Sequence, residues 1–402
     1  PSASWSGHIA SDNVRLSKAM QTIFQNCRLI DGASAAARER VDVIVDGSQI
    51  RAVEETRPRD GLDATLVDCA GLTLLPGLID CHAHYTLDPW SADPFGKVWR
   101  ESDAVAITYA ARAARVALHA GITTTRDAGA PRQLNFALRD AIAKGFIPGP
   151  RLLAPGCAIT ITGGHGRLFG IEADGMDALQ QAVRAQMRDG ADVIKIVASE
   201  AAMLTGPEAA VEELSQEEIN MLVSEARRRG LRIFSHAQNS TSVIRSARAK
   251  VDSVEHAFLA NQEAISELRD NAVTLVPTLA VTEVTLERDD LSPAFRERML
   301  RIRDKHCWSC EEAIRQGINV VASTDCGEPQ IFPNLLWRDI KVLHDRGLTK
   351  MGAIQAATSK AAALLGIDGM VGRVAAGKQA DLILVQGNPL DDLAVLSKVA
   401  LV

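Results

Sequence analysis

The sequence predicts an α/β protein in which a (β/α)8 TIM barrel is combined with a small β-sandwich formed from both chain ends. The chain has 402 residues, which is enough for a large barrel and a smaller module. Short β-like pieces occupy both ends, and strand-like and helix-like segments alternate between them. The predicted division therefore assigns residues 1–75 and 369–402 to the sandwich and residues 76–368 to the barrel.

Composition indicates a globular enzyme-sized protein and excludes several other classes. Hydrophobic residues make up 47% and charged residues 23%, so a disordered or fibrous chain is excluded. The net charge of −6 comes with no basic run, so we expect no nucleic-acid partner. No signal peptide or membrane-length apolar run is visible, so we expect no membrane partner. Seven scattered cysteines favour a reducing compartment, and we expect a cytoplasmic protein.

The ends of the chain carry the signals of a β module. Near the N-terminus, QTIFQNCRLIDG, VDVIVDGSQIRAV and ATLVDCAG are β-like, and Asp46-Gly47 in the second piece is a hairpin signal. The first dozen residues are polar and aperiodic, which predicts a loose arm. Near the C-terminus, GKQADLILVQGNP has the same β character, with a predicted strand at 382–385. We expect these two ends to share one sandwich.

The middle of the chain contains eight predicted strands separated by helices. After a first strand that ends at His84, the strands are GITTTRDAG, RLLAPG, DVIKIV, RIFSHA, DSVEHA, VTLVPTLA and INVVASTD. Ser215 and Glu218 form a capping box that opens one of the helices. Thr349 opens another, which runs to Gly366. Eight such units predict a closed barrel.

The first barrel strand, LLPGLIDCHAHY, ends in two histidines separated by one residue. Because side chains of a strand alternate between faces, His82 and His84 point the same way. Two neutral imidazoles directed at one point make half of a metal site. A hydrogen-bonded core histidine is the competing interpretation of either residue alone.

Polar residues at the ends of later strands supply partners for this pair. Lys195 lies in the fourth strand, and His236, His256 and Asp325 end the fifth, sixth and eighth. Taken singly, Lys195 could snorkel, His236 could bond a backbone carbonyl and Asp325 could cap a helix. Together they would place costly polar groups at one end of a barrel, which favours a shared ligand.

The chemistry of this set points to divalent metal ions. Histidines and a carboxylate without thiolates suit Zn²⁺ most, and Mn²⁺, Co²⁺ or Fe²⁺ also. Lys195 as an ammonium would repel a metal ion, so it must be neutral, displaced or chemically modified.

In its barrel segment the chain resembles the amidohydrolase superfamily of metal-dependent hydrolases. The matching motifs are PGLIDCHAH, the lysine of VIKI, SHA, SVEHA and STD, in family order. The resemblance implies two divalent metal ions, one held by His82, His84 and Asp325 and the second by His236 and His256. It also implies that Lys195 is carboxylated and bridges both ions. Members are often oligomeric, which leaves a homo-oligomer open.

The arrangement implies a hydrolytic mechanism. A hydroxide that bridges the two metal ions would attack a carbonyl, because metal coordination lowers the pKa of water to about 7. Asp325 is assigned as the proton shuttle to the leaving group.

A glycine-rich loop after the third strand, ITGGHG, is similar to that of the prolidase-like branch, which includes Xaa-Pro and Xaa-Arg dipeptidases and carboxypeptidases. We assign His165 to stabilising the substrate carbonyl, with a loop-packing histidine as the alternative. Gly164, Arg167, Gln238 and Tyr85 are further candidates for substrate contact. A solvated loop arginine is the alternative for Arg167.

The substrate loops depart from that branch. Arg167 and two apolar residues follow the GGH loop, ASEAAML follows Lys195, Gln238 stands where a second histidine is common, and CGEPQIFPN follows Asp325. We therefore favour a small, partly apolar amide-type substrate: an N-acyl amino acid, aryl amide, urea or carbamate. The alternatives are a dipeptidase or carboxypeptidase, a cyclic amide hydrolase or deaminase, and a non-catalytic scaffold. KHCWSC is interpreted as part of an amphipathic helix rather than a second metal site.

Overall fold

A computed structural model describes residues 21–58, 63–206 and 210–402. The predicted N-terminal arm lies outside the described residues. The strands are β1 (Gln21–Leu29), β2 (Arg38–Asp46), β3 (Gln49–Glu55), β4 (Ala64–Asp68), β5 (Leu72–Pro76), β6 (Leu78–Ala83), β7 (Ile122–Asp127), β8 (Arg151–Leu153), β9 (Ala158–Thr160), β10 (Gly170–Glu172), β11 (Val193–Val197), β12 (Arg232–Asn239), β13 (Ser253–Leu259), β14 (Thr274–Val276), β15 (Leu382–Gln386) and β16 (Val399–Leu401).

The helices lie mostly between the strands of the middle segment. They are α1 (Pro94–Arg100), α2 (Asp103–His119), α3 (Leu134–Ala143), α4 (Gly175–Asp189), α5 (Ala202–Thr205), α6 (Gln216–Arg227), α7 (Ser240–Arg248), α8 (Gln262–Asp270), α9 (Leu279–Glu287), α10 (Pro293–Arg315), α11 (Leu336–Asp345), α12 (Lys350–Ala356) and α13 (Ser359–Leu365), with short 3-10 turns at Pro131–Gln133 and Leu393–Ser397. The protein thus has an α/β fold. No helix in the described ranges is long and apolar enough to cross a membrane.

Both ends of the chain contribute to one seven-stranded sheet. Its strand order is β16-β15-β5-β1-β2-β3, with β4 beside β1. The C-terminal strand β15 pairs antiparallel with β5, where Leu384 lies opposite Leu74. The predicted hairpin is confirmed: Asp46 pairs with Gln49, and Gly47 has the positive φ of +59° that its turn requires. Apolar side chains from both ends, including Leu74 and Leu384, form one buried cluster.

The middle segment forms two parallel sheets. One has the order β6-β7-β8 and the other the order β10-β9-β11-β12-β13-β14. Parallel pairing places the carboxyl ends of neighbouring strands on one side, so residues that end different strands lie close together. The three-residue strands β9 and β10 were not predicted.

The predicted eighth strand, INVVASTD, is not a regular strand. Val320 makes an isolated bridge with Leu275, and Cys326, the residue after this segment, makes one with Ala83, which connects β14 to β6. Two of its backbone N–H groups are taken by side chains instead of a neighbouring strand: Ser323 donates to Asp339, and Thr324 donates to Asp80. The carboxylates of Asp80 and Asp339 therefore replace ladder hydrogen bonds that a sequence pattern would assume.

The helix signals are confirmed with one correction. Ser215 and Glu218 form the predicted capping box at the start of α6. The helix predicted from Thr349 to Gly366 is instead two helices, α12 and α13, with a break at Ala357 and Thr358. The carbonyl of Ala357 accepts a hydrogen bond from Ile79 of β6, at 2.8 Å, which anchors the break to the sheet.

Candidate active site

The two histidines at the end of β6 lie beside Asp325 in the interior of the protein. His82 and His84 are both buried, and their Nε2 atoms lie 3.4 and 3.6 Å from Oδ1 of Asp325. The other ring nitrogen of each is held by a hydrogen bond, His82 Nδ1 to Glu255 at 2.7 Å and His84 Nδ1 to the carbonyl of Gly129 at 3.2 Å. Both rings therefore direct Nε2 at one point.

His256 and Asp325 reach this point through unusual backbone conformations. Both have positive φ, +73° for His256 and +52° for Asp325, as does Thr278 at +55°, whose hydroxyl bonds His256 Nδ1 at 2.9 Å. Such conformations cost about 1–3 kcal/mol for non-glycine residues and cluster at functional sites. One ligand atom each from His82, His256 and Asp325 lie within 4.8 Å of one another, a group that could hold a metal ion.

Lys195 and His236 carry buried polar atoms without partners. On β11 and β12, Lys195 pairs with Phe234 and Val197 with His236, so both polar residues stand on adjacent strands. Neither Lys195 Nζ nor His236 Nε2 has a hydrogen-bond partner among the described residues. The His236 ring centroid lies 4.5 Å from that of His256. Buried polar atoms without partners are costly, so these two atoms are accounted for best by a bound group.

The protonation states suit a metal ion. Burial lowers the pKa of His84 to about 3 and lowers the pKa values of His82, His236 and His256 well below the usual value, so the imidazoles are neutral, the form in which histidine can bind a metal ion. Burial also lowers the pKa of Lys195 to about 8. The donor set, the two partnerless atoms and the neutral histidines therefore fit divalent metal ions.

A buried network behind His82 was not predicted. Glu255 accepts a hydrogen bond from His82, and Arg126 donates to both oxygens of Glu255 at 2.9 Å. Arg126 also donates to the carbonyl of Cys81 at 2.7 Å and to the hydroxyl of Ser253 at 3.0 Å. Since Glu255 precedes His256 directly, strand alternation would direct it away from the site. The kink at His256 brings both inward, and no sequence pattern indicates it.

His165 lies on its loop next to the histidine cluster. Its ring centroid is 4.4 Å from that of His236. Glu213 holds the loop, because its carboxylate accepts a hydrogen bond from the His165 backbone N–H at 2.6 Å and from the Thr160 hydroxyl at 2.9 Å. Burial lowers the pKa of His165 to about 4, so the ring is neutral and can still donate one hydrogen bond.

A cavity of about 250 Å³ opens over these residues. Eight of the sequence candidates line it: His82, His84, His165, Lys195, His236, Gln238, His256 and Asp325. The side-chain oxygen of Gln238 is engaged by the backbone N–H of Ala202 at 2.7 Å, which leaves its amide group for other contacts. Phenylalanines and methionine form much of the remaining wall: Phe95, Phe169, Met203, Phe258 and Phe295.

Three substrate candidates lie elsewhere. Tyr85 is fully buried and its hydroxyl bonds Thr125 Oγ1 at 2.7 Å, so the structure does not bring it to the cavity. Gly164 and Arg167 line a neighbouring cavity that shares Phe95, His165 and Phe169 with the first. The position of Tyr85 therefore conflicts with its predicted substrate contact, because Tyr85, which directly follows His84, turns towards β7.

Asp325 is an acidic group that lies within 4 Å of three of the histidines, His82, His84 and His256. Burial and then the neighbouring carboxylate of Glu328 raise the pKa of Asp325 well above its usual value. Its backbone N–H bonds the His82 carbonyl at 2.8 Å, and no helix begins here, so it is not a helix cap. A carboxylate in this environment can both accept and return a proton.

Comparisons with known proteins agree with this geometry. A sequence model described as "Amidohydrolase family" matches residues 73–402. Ochratoxinase from Aspergillus niger is 28% identical over 357 residues, which cover 81% of this chain and 72% of the relative.

Solved structures share the fold over nearly the whole chain. The crystal structure of a Xaa-Pro dipeptidase with bound methionine in its active site has a TM-score of 0.86 and 28% identity, and the match covers 94% of this chain and 97% of that chain. The crystal structure of A. niger ochratoxinase has a TM-score of 0.82 and 26% identity, with 95% and 93% coverage.

Proposed function

The chain belongs to the amidohydrolase family and is a hydrolase of carbon–nitrogen bonds, and from this premise we propose that it cleaves an amide-type bond in a small, partly apolar molecule. The resemblance predicted from the sequence motifs is thereby confirmed at the level of the family. The observation that carries the proposal is the phenylalanine-lined cavity directly over the buried histidine cluster. An N-acyl amino acid, aryl amide, urea or carbamate combines the apolar surface and the scissile carbonyl that such a cavity accepts.

We propose that the parallel sheets close into the predicted (β/α)8 barrel. Two observations support this: residues of the 318–326 segment bridge β14 and β6, and the backbone N–H of Asp192, just before β11, donates to the carbonyl of Ala154, just after β8, at 2.9 Å. In the same proposal the seven-stranded sheet belongs to the predicted sandwich, with domain limits at residues 75 and 368. A cytoplasmic location is also proposed, which the free, buried state of all seven cysteines supports.

The metal centre proposed here uses the ligands predicted from the sequence. His82, His84 and Asp325 would hold one divalent ion, His236 and His256 the second, and carboxylated Lys195 both. Zn²⁺ is the preferred ion, with Mn²⁺, Co²⁺ or Fe²⁺ as alternatives. Such ions, when bound, polarise the carbonyl and lower the pKa of water to about 7. A carbamate on Lys195 would form when the neutral amine attacks CO₂ and loses a proton, turning a cation into an oxygen ligand.

The remaining steps are assigned to side chains of this chain. Asp325 accepts a proton from the attacking water and delivers it to the leaving nitrogen as the C–N bond breaks. His165 donates a hydrogen bond to the carbonyl oxygen as negative charge develops there. The phenylalanines exclude water from the cavity, which strengthens both interactions.

Replacing Lys195 tests the carbamate. We expect Lys195→Ala to reduce the metal content from about two ions per chain to about one or fewer, because an oxygen ligand common to both ions is lost. Native mass spectrometry of the wild type should show one additional CO₂ that disappears in the variant. The surface variant Lys341→Ala removes an exposed ion pair with Asp345 and should retain both the metal content and the additional CO₂ mass. Full metal occupancy of Lys195→Ala would disprove the bridging role.

A hydrolysis screen tests the reaction and the substrate class. The metal-replete protein is incubated with N-acyl amino acids, aryl amides, ureas, dipeptides and ochratoxin, the last because of the name of the Aspergillus relative. We expect release of an amine from one of the acyl or aryl amides, loss of activity after chelation and recovery after metal is restored. Activity on dipeptides alone would overturn the preferred substrate class.

A dipeptidase is the second candidate function. It is favoured by the Xaa-Pro dipeptidase structure, which matches this chain with a TM-score of 0.86 at 28% identity. The aromatic wall argues for the more apolar substrates, because a dipeptide backbone would leave much of that surface without contacts. Ammonia release from a cyclic or nucleobase-like substrate in the same screen would instead reveal a deaminase.

A further inference from the structure

The cavity over the histidine cluster has one well-placed cation besides Lys195. Among the described residues that line it, these two are the only lysine or arginine side chains. Arg288 follows α9, so it stands on the loop after β14, on the same side as the ends of the other strands. Its side chain is 16% exposed, compared with 60% for Asp290, its partner. The guanidinium therefore points inward from an ion pair at the surface.

Arg288 is held in place from two directions. Its Nε and Nη2 donate to the two carboxylate oxygens of Asp290, each at 2.9 Å. Its backbone carbonyl accepts a hydrogen bond from Arg296, which also bonds the carbonyl of Leu286. Among the described residues, Nη1 has no hydrogen-bond partner. A guanidinium that is fixed along one edge and free at the other is preorganised to receive a second carboxylate.

Three carboxyl groups also line the cavity: Asp93, which pairs with Arg100, Asp325 and Glu328. Glu328 lies three residues after Asp325, and burial raises its pKa to about 7, an effect that the positive charge of Arg288 partly offsets. Gly327 fixes the turn, because a Cβ there would lie 2.7 Å from the carbonyl oxygen of His84. A substrate carboxylate is thus repelled from the side of Asp325 and attracted towards Arg288.

We propose that Arg288 is a specificity-determining residue that binds the carboxylate of the substrate. The substrate is then an N-acyl amino acid with a free carboxylate, rather than a neutral aryl amide, urea or carbamate. The apolar groups of this molecule pack against the phenylalanines, and the scissile carbonyl faces the histidine cluster. This assignment rests on the proposed amide hydrolysis and narrows its substrate class.

Two ligands that differ only in the carboxylate test the assignment. N-benzoyl-L-phenylalanine has the carboxylate, and N-phenethylbenzamide lacks it. We expect the wild type to have a higher kcat/KM for the first compound than for the second. Arg288→Met should lower kcat/KM for the acid by about 10- to 100-fold, which is the usual effect of losing a charge-assisted hydrogen bond. The same variant should change kcat/KM for the neutral amide by less than about twofold. Arg288→Lys should recover part of the preference, and the surface variant Arg188→Met should match the wild type.

Binding measured by calorimetry separates this inference from the proposed reaction. If the wild type binds the acid more tightly and Arg288→Met removes the difference, the carboxylate site stands even when neither compound is hydrolysed, and the reaction is then the part that fails. If Arg288→Met lost affinity equally for both ligands, Arg288 would be a structural residue and the assignment would be overturned. Equal binding of both ligands by the wild type would overturn it as well.

Discussion

Asp325→Asn is expected to lower kcat by about 10²- to 10⁴-fold, the range that general acid–base catalysis supplies. The asparagine keeps the shape of the side chain and one oxygen ligand but cannot carry a proton. It also suits the backbone, because asparagine is enriched at positive φ and residue 325 has a φ of +52°. The loss should therefore be one of proton transfer and not of folding.

The metal content and the thermal midpoint of the variant check this interpretation. Most of the metal should remain, and stability should be equal to or higher than that of the wild type, because a buried acidic group with a raised pKa is replaced by a neutral one. Asp381→Asn is the matched control, since Asp381 pairs with Arg151 away from the cavity. Near-normal turnover of Asp325→Asn would exclude the proton-shuttle role, and a variant that no longer binds metal would assign Asp325 to ligation alone.

The candidate ligand side chains could be predicted to lie together because each ends or interrupts an apolar strand. An HxH pair, a lysine within VIKI and the histidines within SHA and SVEHA are local patterns, and parallel pairing then brings them together without further information. The division of the candidate ligands between two metal ions is harder to predict from the sequence. One atom each from His82, His256 and Asp325 lie within 4.8 Å of one another, although the prediction assigns His82 and Asp325 to one ion and His256 to the other.

The residues that were missed depend on backbone conformations without a local sequence signal. Glu255 faces inward because β13 kinks at His256, although alternation would direct it outward. Arg288 and Glu328 lie on loops whose course depends on distant partners, such as Arg296 for the first and His84 for the second. Tyr85 was predicted as a substrate contact, but its hydroxyl bonds Thr125 in the interior.

The buried pair of Arg126 and Glu255 gives the second large prediction. Arg126→Met should lower the free energy of unfolding by about 3–5 kcal/mol, because it leaves the carboxylate of Glu255 buried without its cation. Arg126 is 2% exposed, and its guanidinium also stacks on Phe234 at 3.8 Å from the ring centroid. Urea unfolding of the metal-free protein measures the change. The control Arg188→Met removes a pair whose arginine side chain is 75% exposed, and should cost less than about 1 kcal/mol.

The double variant Arg126→Met/Glu255→Met separates stability from metal binding. Replacing both charges removes the unpaired carboxylate, so it should regain most of the stability that the single variant loses. Its metal affinity should still fall by about 10- to 100-fold, because no group then orients His82 through Nδ1. Competition with a chelator measures that affinity. Wild-type affinity in the double variant would show that His82 is oriented without Glu255, whereas recovery of neither property would mean that packing around Arg126, and not its charge, is what the site requires.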